Sequence, residues 1–239
     1  MTGLHAWSQN WKRRWNLAEH IALDLAGETL ALLPQRALWW PRCQTVFVAD
    51  VHIGKAAAFR KLGVPVPIGT TDDTLERLQA LLHLTAAGHL VVLGDLFHSE
   101  HVQQSDSLAS FGVWRGHNAH VKMTLVRGNH DARSGDPPAE MDIACVEAPV
   151  DFGGLWGLHE PDEHFTLPSL AGHLHPAIRL SGRGRDSVRL PCFVRRGDQV
   201  ILPAFGAFTG MHTLKDLSGL QVFPVSGQAV FKMPSGRQV

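Results

Sequence analysis

Apolar runs along the chain stop abruptly at polar clusters, and the pattern recurs. Val46-Phe47-Val48-Ala49 runs into Asp50-Val51-His52, and Leu90-Val91-Val92-Leu93 runs into Gly94-Asp95. Met123-Thr124-Leu125-Val126 is followed by Arg127-Gly128-Asn129-His130-Asp131. Leu155-Trp156-Gly157-Leu158 leads to His159-Glu160, and Ser169-Leu170-Ala171 to Gly172-His173-Leu174-His175. Short apolar runs bounded by Gly and Asp predict buried strands. Between the first two runs, Leu75, Leu78, Leu81 and Leu82 fall at helical spacing, behind Thr71 or Asp72 as a cap. A weaker helix is predicted from Ser105 to His120, carrying Leu108, Phe111 and Val113. Strand and helix in alternation predict an α/β sheet.

Beyond residue 185 the pattern changes. Ser187–Leu190, Gln199–Leu202, Gly219–Phe223 and Ala229–Lys232 read as strands with no helices between them. They predict a second, mostly antiparallel sheet packed on the first. The expected fold class is therefore α/β, with two packed mixed sheets flanked by helices in one domain spanning residues 1–239. Residues 1–19 are polar and Trp-rich and read as an N-terminal arm.

Composition narrows the class. Hydrophobic residues make up 44% of 239, enough for one substantial core. The 22 acidic and 22 basic residues balance, which gives no global signature of nucleic-acid binding. Cys43, Cys145 and Cys192 are an odd number at wide spacing, which predicts neither a zinc pair nor a disulfide framework and fits a reducing cytoplasm. Lys12, Arg13 and Arg14 precede no long apolar segment, and Asp24 and Glu28 interrupt Ile21 to Leu33. Neither a signal peptide nor a membrane span is expected.

One Asp-x-His after a strand is weak, because Asp often caps a turn and a lone His often packs in a core. Five clusters, each at the end of an apolar run, carry more. In open α/β sheets the ligand crevice lies beyond the carboxyl ends of the strands. Delivered there are Asp50, Asp95, the Asn129 amide and the imidazoles of His52, His159, His173 and His175. Carboxylate, amide and imidazole suit divalent manganese, zinc, iron, nickel or cobalt. Gly94, Gly128 and Gly172 each precede one of these residues and allow close backbone approach.

Asp50-x-His52, Gly94-Asp95, Gly128-Asn129-His130-Asp131, His159 and Gly172-His173-x-His175, in this order, resemble the calcineurin-like metallophosphoesterases. That family includes Ser/Thr phosphatases and nucleases. The flanks resemble one bacterial subfamily, the ligase-associated DNA damage response endonucleases. They include Gly27-Glu28-Thr29-Leu30, Asp50-Val51-His52-Ile53-Gly54-Lys55 with Phe59-Arg60, and Gly63-Val64-Pro65-Val66-Pro67. Gly94-Asp95-Leu96-Phe97-His98-Ser99, His159-Glu160-Pro161 and Leu202-Pro203-Ala204-Phe205-Gly206 complete them.

The resemblance implies a metallophosphoesterase sandwich holding two divalent ions, manganese first among them. Asp50, His52 and His175 would bind one ion, Asn129, His159 and His173 the other, and Asp95 would bridge them. The bridging hydroxide would attack phosphorus. His130 would assist the leaving group, and Asp131 would orient its ring. Lys55, Arg127 and His98, beside Asn129 and His130, are the candidate substrate contacts. Arg60, Lys61 and Arg133 also lie beside the motifs. Many relatives carry an acidic residue or arginine where this chain has Phe97, His98 and Ser99. His117, His120 and His212 have no role in the template. The implied substrate is single-stranded DNA, cut internally, with DNA-repair ligase, helicase and exonuclease as functional associates. A small-molecule phosphoesterase is the competing reading. A non-catalytic scaffold would be expected to lose His130, which this chain keeps.

Overall fold

The computed structural model describes residues 19–66, 69–98, 105–182 and 186–234. The expected arm up to residue 18, with its basic triplet, lies outside the described residues, as do Pro67 and Ser99. The first sheet contains β1 (Ile21–Leu25), β2 (Glu28–Leu33), β3 (Ala37–Trp40), β4 (Thr45–Val48), β5 (His89–Leu93), β6 (Lys122–Val126) and β7 (Ala144–Val146), side by side in that order. β1 to β4 pair antiparallel and β4 to β7 parallel. The first three strands are an addition to the sequence reading. β1 and β2 turn through Ala26 and Gly27, both at positive φ (53° and 82°). Ala26 stands where Asn or Gly usually announces such a hairpin.

β4, β5 and β6 are buried along nearly their whole length, which is why they read as continuous apolar runs. Alternation sorts their side chains to two cores. Val46, Val48, Leu90, Val92 and Leu125 face the helices, while Phe47, Val91 and Leu93 face the second sheet. The helices are α1 (Lys55–Lys61), α2 (Thr70–Thr85), α3 (Asp106–His117) and the single turn α4 (Asp131–Ser134). Leu75, Leu78, Leu81 and Leu82 of α2 are all buried in the helix-side core. Its cap is Gly69 at φ 89°, so Thr71 and Asp72 fall inside the first turn instead of capping it. Ser105 caps α3 by accepting a hydrogen bond from the Leu108 amide. That helix stops at His117, short of the expected His120, because Asn118 turns back and donates to the Trp114 carbonyl and Gln79. Phe111 and Trp114 face the core, whereas Val113 is 62% exposed.

The second sheet contains β8 (Val150–Asp151), β9 (Trp156–Gly157), β10 (Ser169–Ala171), β11 (Pro176–Ser181), β12 (Ser187–Arg196), β13 (Gln199–Ile201), β14 (His212–Thr213), β15 (Gln221–Ser226) and β16 (Ala229–Val230). Its order is β14-β11-β12-β13-β10-β9-β8, with β15 on β12 and β16 on β15. β9, β10 and β13 run parallel, whereas β12 pairs antiparallel with β11, β13 and β15. Leu155, Leu170, Phe193, Val200 and Phe223 press onto the first sheet and close the sandwich. Among the described residues, no helix is long and apolar enough to cross a membrane.

His89, at the start of β5, is half-buried with Nε2 2.9 Å from Thr124 Oγ1. Burial, with Lys122 adding to it, pushes its pKa down from 6.5 to about 4. The unfolded chain therefore binds more protons between those values, and stability falls as pH drops through that window. His89→Gln is expected to lose less thermal stability than the wild type between pH 6.5 and pH 4. Identical melting-temperature profiles for the two proteins would refute this.

Candidate active site

The five polar clusters meet at one edge of the sandwich. Three follow the parallel strands β4, β5 and β6, and two follow β9 and β10. Past the strands the loops keep pairing: Asp50 N donates to Gly94 O, His52 N to Asp95 O and Ile53 N to Leu96 O. Across the sheets, His173 N donates to Asp50 Oδ2 at 2.9 Å. The chain after β13 also arrives here, with Phe205 N donating to Ala49 O and Gly206 N to Asp50 O. A Cβ on Gly206 would strike the Val51 carbonyl.

The backbone is strained where the polar side chains sit. Asp50, His52, Asp95, His173 and His175 all have positive φ, at 54°, 51°, 55°, 66° and 47°. Each costs about 1–2 kcal/mol for a residue with a Cβ. Such outliers persist where surrounding structure enforces them, commonly at functional sites. The expected close approach of the glycines is present. A side chain on Gly94 would run into the His159 ring, one on Gly128 into Asp95, and one on Gly172 into Ala49 and Asp50.

Among the described residues three groupings result, one of imidazoles alone (His52, His98 and His130) and two that include a carboxylate. Asp50, His52 and His175 bring ligand atoms within 4.8 Å of one another, and Asp95, His159 and His173 do the same. Asn129 Oδ1 joins the second, 3.0 Å from His159 Nε2. Asp95 stands between the two, with Oδ1 3.5 Å from His159 Nε2 and Oδ2 3.8 Å from His52 Nε2. Ring orientation is set by backbone carbonyls. His159 Nδ1 lies 3.0 Å from Leu93 O, and His175 Nδ1 3.1 Å from Gly210 O. A carbonyl only accepts, so both Nδ1 atoms carry the proton and both Nε2 atoms are left to offer a lone pair. His159 Nε2 thus faces Asn129 Oδ1 and Asp95 Oδ1, and His173 Nδ1 lies 3.1 Å from the same nitrogen.

This chemistry fits cations. Asp50, Asp95 and Asp131 are 0%, 2% and 1% exposed. Burial pushes the carboxyls of Asp95 and Asp131 up, and backbone amides partly offset this at both. Among the described residues, Asp50 Oδ1 and both ring nitrogens of His52 are buried without a hydrogen bond. Burial also drives the His52 pKa far down, so its ring is neutral and free to coordinate.

His130 lies beside this floor. Its amide donates to Asp95 Oδ1, its Nδ1 is 2.8 Å from His98 O, and its Nε2 is 4.0 Å from Asp95 Oδ2. By the same carbonyl argument Nδ1 donates, which leaves Nε2 toward the site. The orienting role expected of Asp131 therefore passes to the His98 carbonyl. Asp131 instead accepts from the amides of Asp95, Leu96 and Gly128, at 2.7, 3.0 and 2.9 Å, and staples two loops together. His98 stacks on His130 with ring centroids 5.1 Å apart, and its pKa is lowered to about 4, chiefly by burial.

Among the expected substrate contacts, Lys55 is half-buried at the start of α1. Burial lowers its pKa while Asp50 and Asp95 oppose the shift. Arg127 departs from expectation. Its guanidinium is engaged by Asp136 and Glu147 at 2.6–2.8 Å, which raises its pKa and leaves little for a phosphate. His117 and His120 are exposed at the far end of α3. His212 is exposed, and its amide holds the His175 carbonyl at 2.9 Å.

Residues 44–190 match the calcineurin-like phosphoesterase family, and the chain belongs to it. It is a metal-dependent phosphoesterase, a hydrolase whose family works with a binuclear divalent site. Among solved structures, the nuclease MPE of Pseudomonas putida superposes with a TM-score of 0.78. It is 39% identical, over 90% of this chain and 100% of that one. Yfce, a phosphoesterase from E. coli, reaches a TM-score of 0.42 at 17% identity, over 79% of this chain and 97% of that one, too loose to bear on function. No curated protein matches the chain.

Proposed function

We propose that this protein is a manganese-dependent DNA endonuclease that cuts single-stranded DNA in repair. The observation that carries the chemistry is the pair of acceptor constellations sharing Asp95, with His130 Nε2 beside them. Asp50, His52 and His175 would hold one ion, Asn129, His159 and His173 the other, and Asp95, standing between the two sets, would serve both. Two divalent ions so held neutralise phosphate charge and lower the pKa of a water. His130, held by the His98 carbonyl, keeps Nε2 on the substrate side, where it stabilises charge or delivers a proton to the leaving oxygen. Lys55 adds positive charge at the same mouth.

Likeness to a nuclease along nearly the whole chain supports a nucleic-acid substrate. The subfamily resemblance supports DNA, a single-domain cytoplasmic enzyme, and service beside a DNA-repair ligase, helicase and exonuclease. A flexible strand bends into a closed two-ion site at lower cost than a stiff duplex. Circular single-stranded DNA is the deciding substrate, because it has no ends. It should be linearised with manganese, best among divalent ions, and left intact in a chelator. Circles that survive while linear strands shorten would make the enzyme an exonuclease. Inert DNA alongside hydrolysed nucleotide esters would establish a small-molecule phosphoesterase.

A further inference from the structure

A chain of aromatic rings leads out of the site along one wall, and catalysis has no use for most of it. His130 stacks on His98 with centroids 5.1 Å apart and planes inclined 26°. Phe59, on α1, lies 6.1 Å from His98, and Phe208 lies 5.6 Å from Phe59. Both phenylalanines are only partly buried, and the chain just after Phe59 carries Leu62, 79% exposed, and Val64, 41% exposed, whose amides both donate to the Phe59 carbonyl. Apolar side chains left exposed in and just after a short helix beside a polar crevice are unusual, since packing gains nothing from them. The same helix carries cations. Lys55 lies at its start, and Arg60 and Lys61 lie exposed in its last turn.

Aromatic faces interleaved with positive charge are how proteins grip single strands, whose bases are unstacked and whose phosphates run alongside. We propose that Phe59 and Phe208 form a stacking wall for the nucleobase next to the scissile phosphate, with the cations of α1 tracking the backbone. This rests on the DNA reading above and adds the element that takes the base. With a phosphate beside His130, the adjoining base reaches the wall one ring further on, past His98. Duplex DNA is a poor fit because its bases already stack on each other. A single strand therefore gains at this wall and a duplex does not.

The test compares an ordinary single-stranded oligonucleotide with one of the same length whose sugars around one linkage are abasic. Affinity is read by fluorescence anisotropy, and kcat and KM are read separately. The wild type should prefer the base-bearing strand by about 5- to 150-fold for each stacked base. In Phe59→Leu, which keeps apolar bulk but loses the ring, that ratio should fall toward one through KM. Phe59→Trp should restore it. If Phe59→Leu weakens both strands equally, or the wild type does not distinguish them, the wall is structural packing and the proposal fails. If the wild type neither binds nor cuts either strand yet hydrolyses bis(p-nitrophenyl) phosphate, the DNA reading itself fails and the wall falls with it.

Discussion

Asp95→Ala is expected to lose phosphodiester hydrolysis by on the order of 10³-fold or more, and to stop responding to metal. The carboxylate stands between the two constellations, 3.5 Å from His159 and 3.8 Å from His52, and it also anchors the His130 amide. No neighbour can replace it, because Asp50 already faces His175 at 3.3 Å and Asp131 is committed to backbone amides. Manganese should raise the wild-type melting temperature by mass action, since ions bind the folded state. The variant should lose most of that rise. Its metal-free form should melt no lower than the wild type, because a buried charge has been removed. Bound metal measured by mass spectrometry and melting curves with and without manganese check both parts. Near-normal turnover would show that Asp95 joins no pair of ions.

His130→Ala should do the opposite with metal. Two ions per chain should remain, while turnover falls by about 10²–10⁴-fold. The ring's Nε2 is 4.0 Å from the nearest Asp95 oxygen, and its Nδ1 is committed to the His98 carbonyl. The role proposed for the ring is to overhang the ions without binding one, although it groups with His52 and His98. A DNA diester should suffer more than a p-nitrophenyl ester. The alkoxide leaving from DNA needs a proton, and nitrophenolate does not. Loss of one ion would make His130 a ligand. Equal losses on both esters would make it a charge stabiliser and not a proton donor.

Much of this was legible in the sequence because parallel strands buried on both faces leave unbroken apolar runs, and the residues that end them mark the site. β4, β5 and β6 are legible that way, and they lead to Asp50, Asp95 and Asn129, which the fold brings to one edge. The β1–β2 hairpin was not, since Ala26 conceals a turn that Asn or Gly would have advertised. The groups that aim the imidazoles were also hidden. Leu93, His98 and Gly210 act through carbonyls, which every residue possesses and no motif records. Arg127 looked available to DNA only because Asp136 and Glu147, nine and twenty residues on, cannot be placed beside it from spacing.

The bond from the His173 amide to Asp50 joins residues 123 apart and links the two halves of the sandwich at their charged edge. Asp50 and Asp95 are buried there, with half-buried Lys55 near them. Without ions this edge works against closure of the fold, like a hinge under pressure. Ions held by the same groups would turn it into a clasp. Ions held there as proposed would have a mechanical role besides the chemical one, reinforcing the hydrogen bonds that already join the two sheets at this edge.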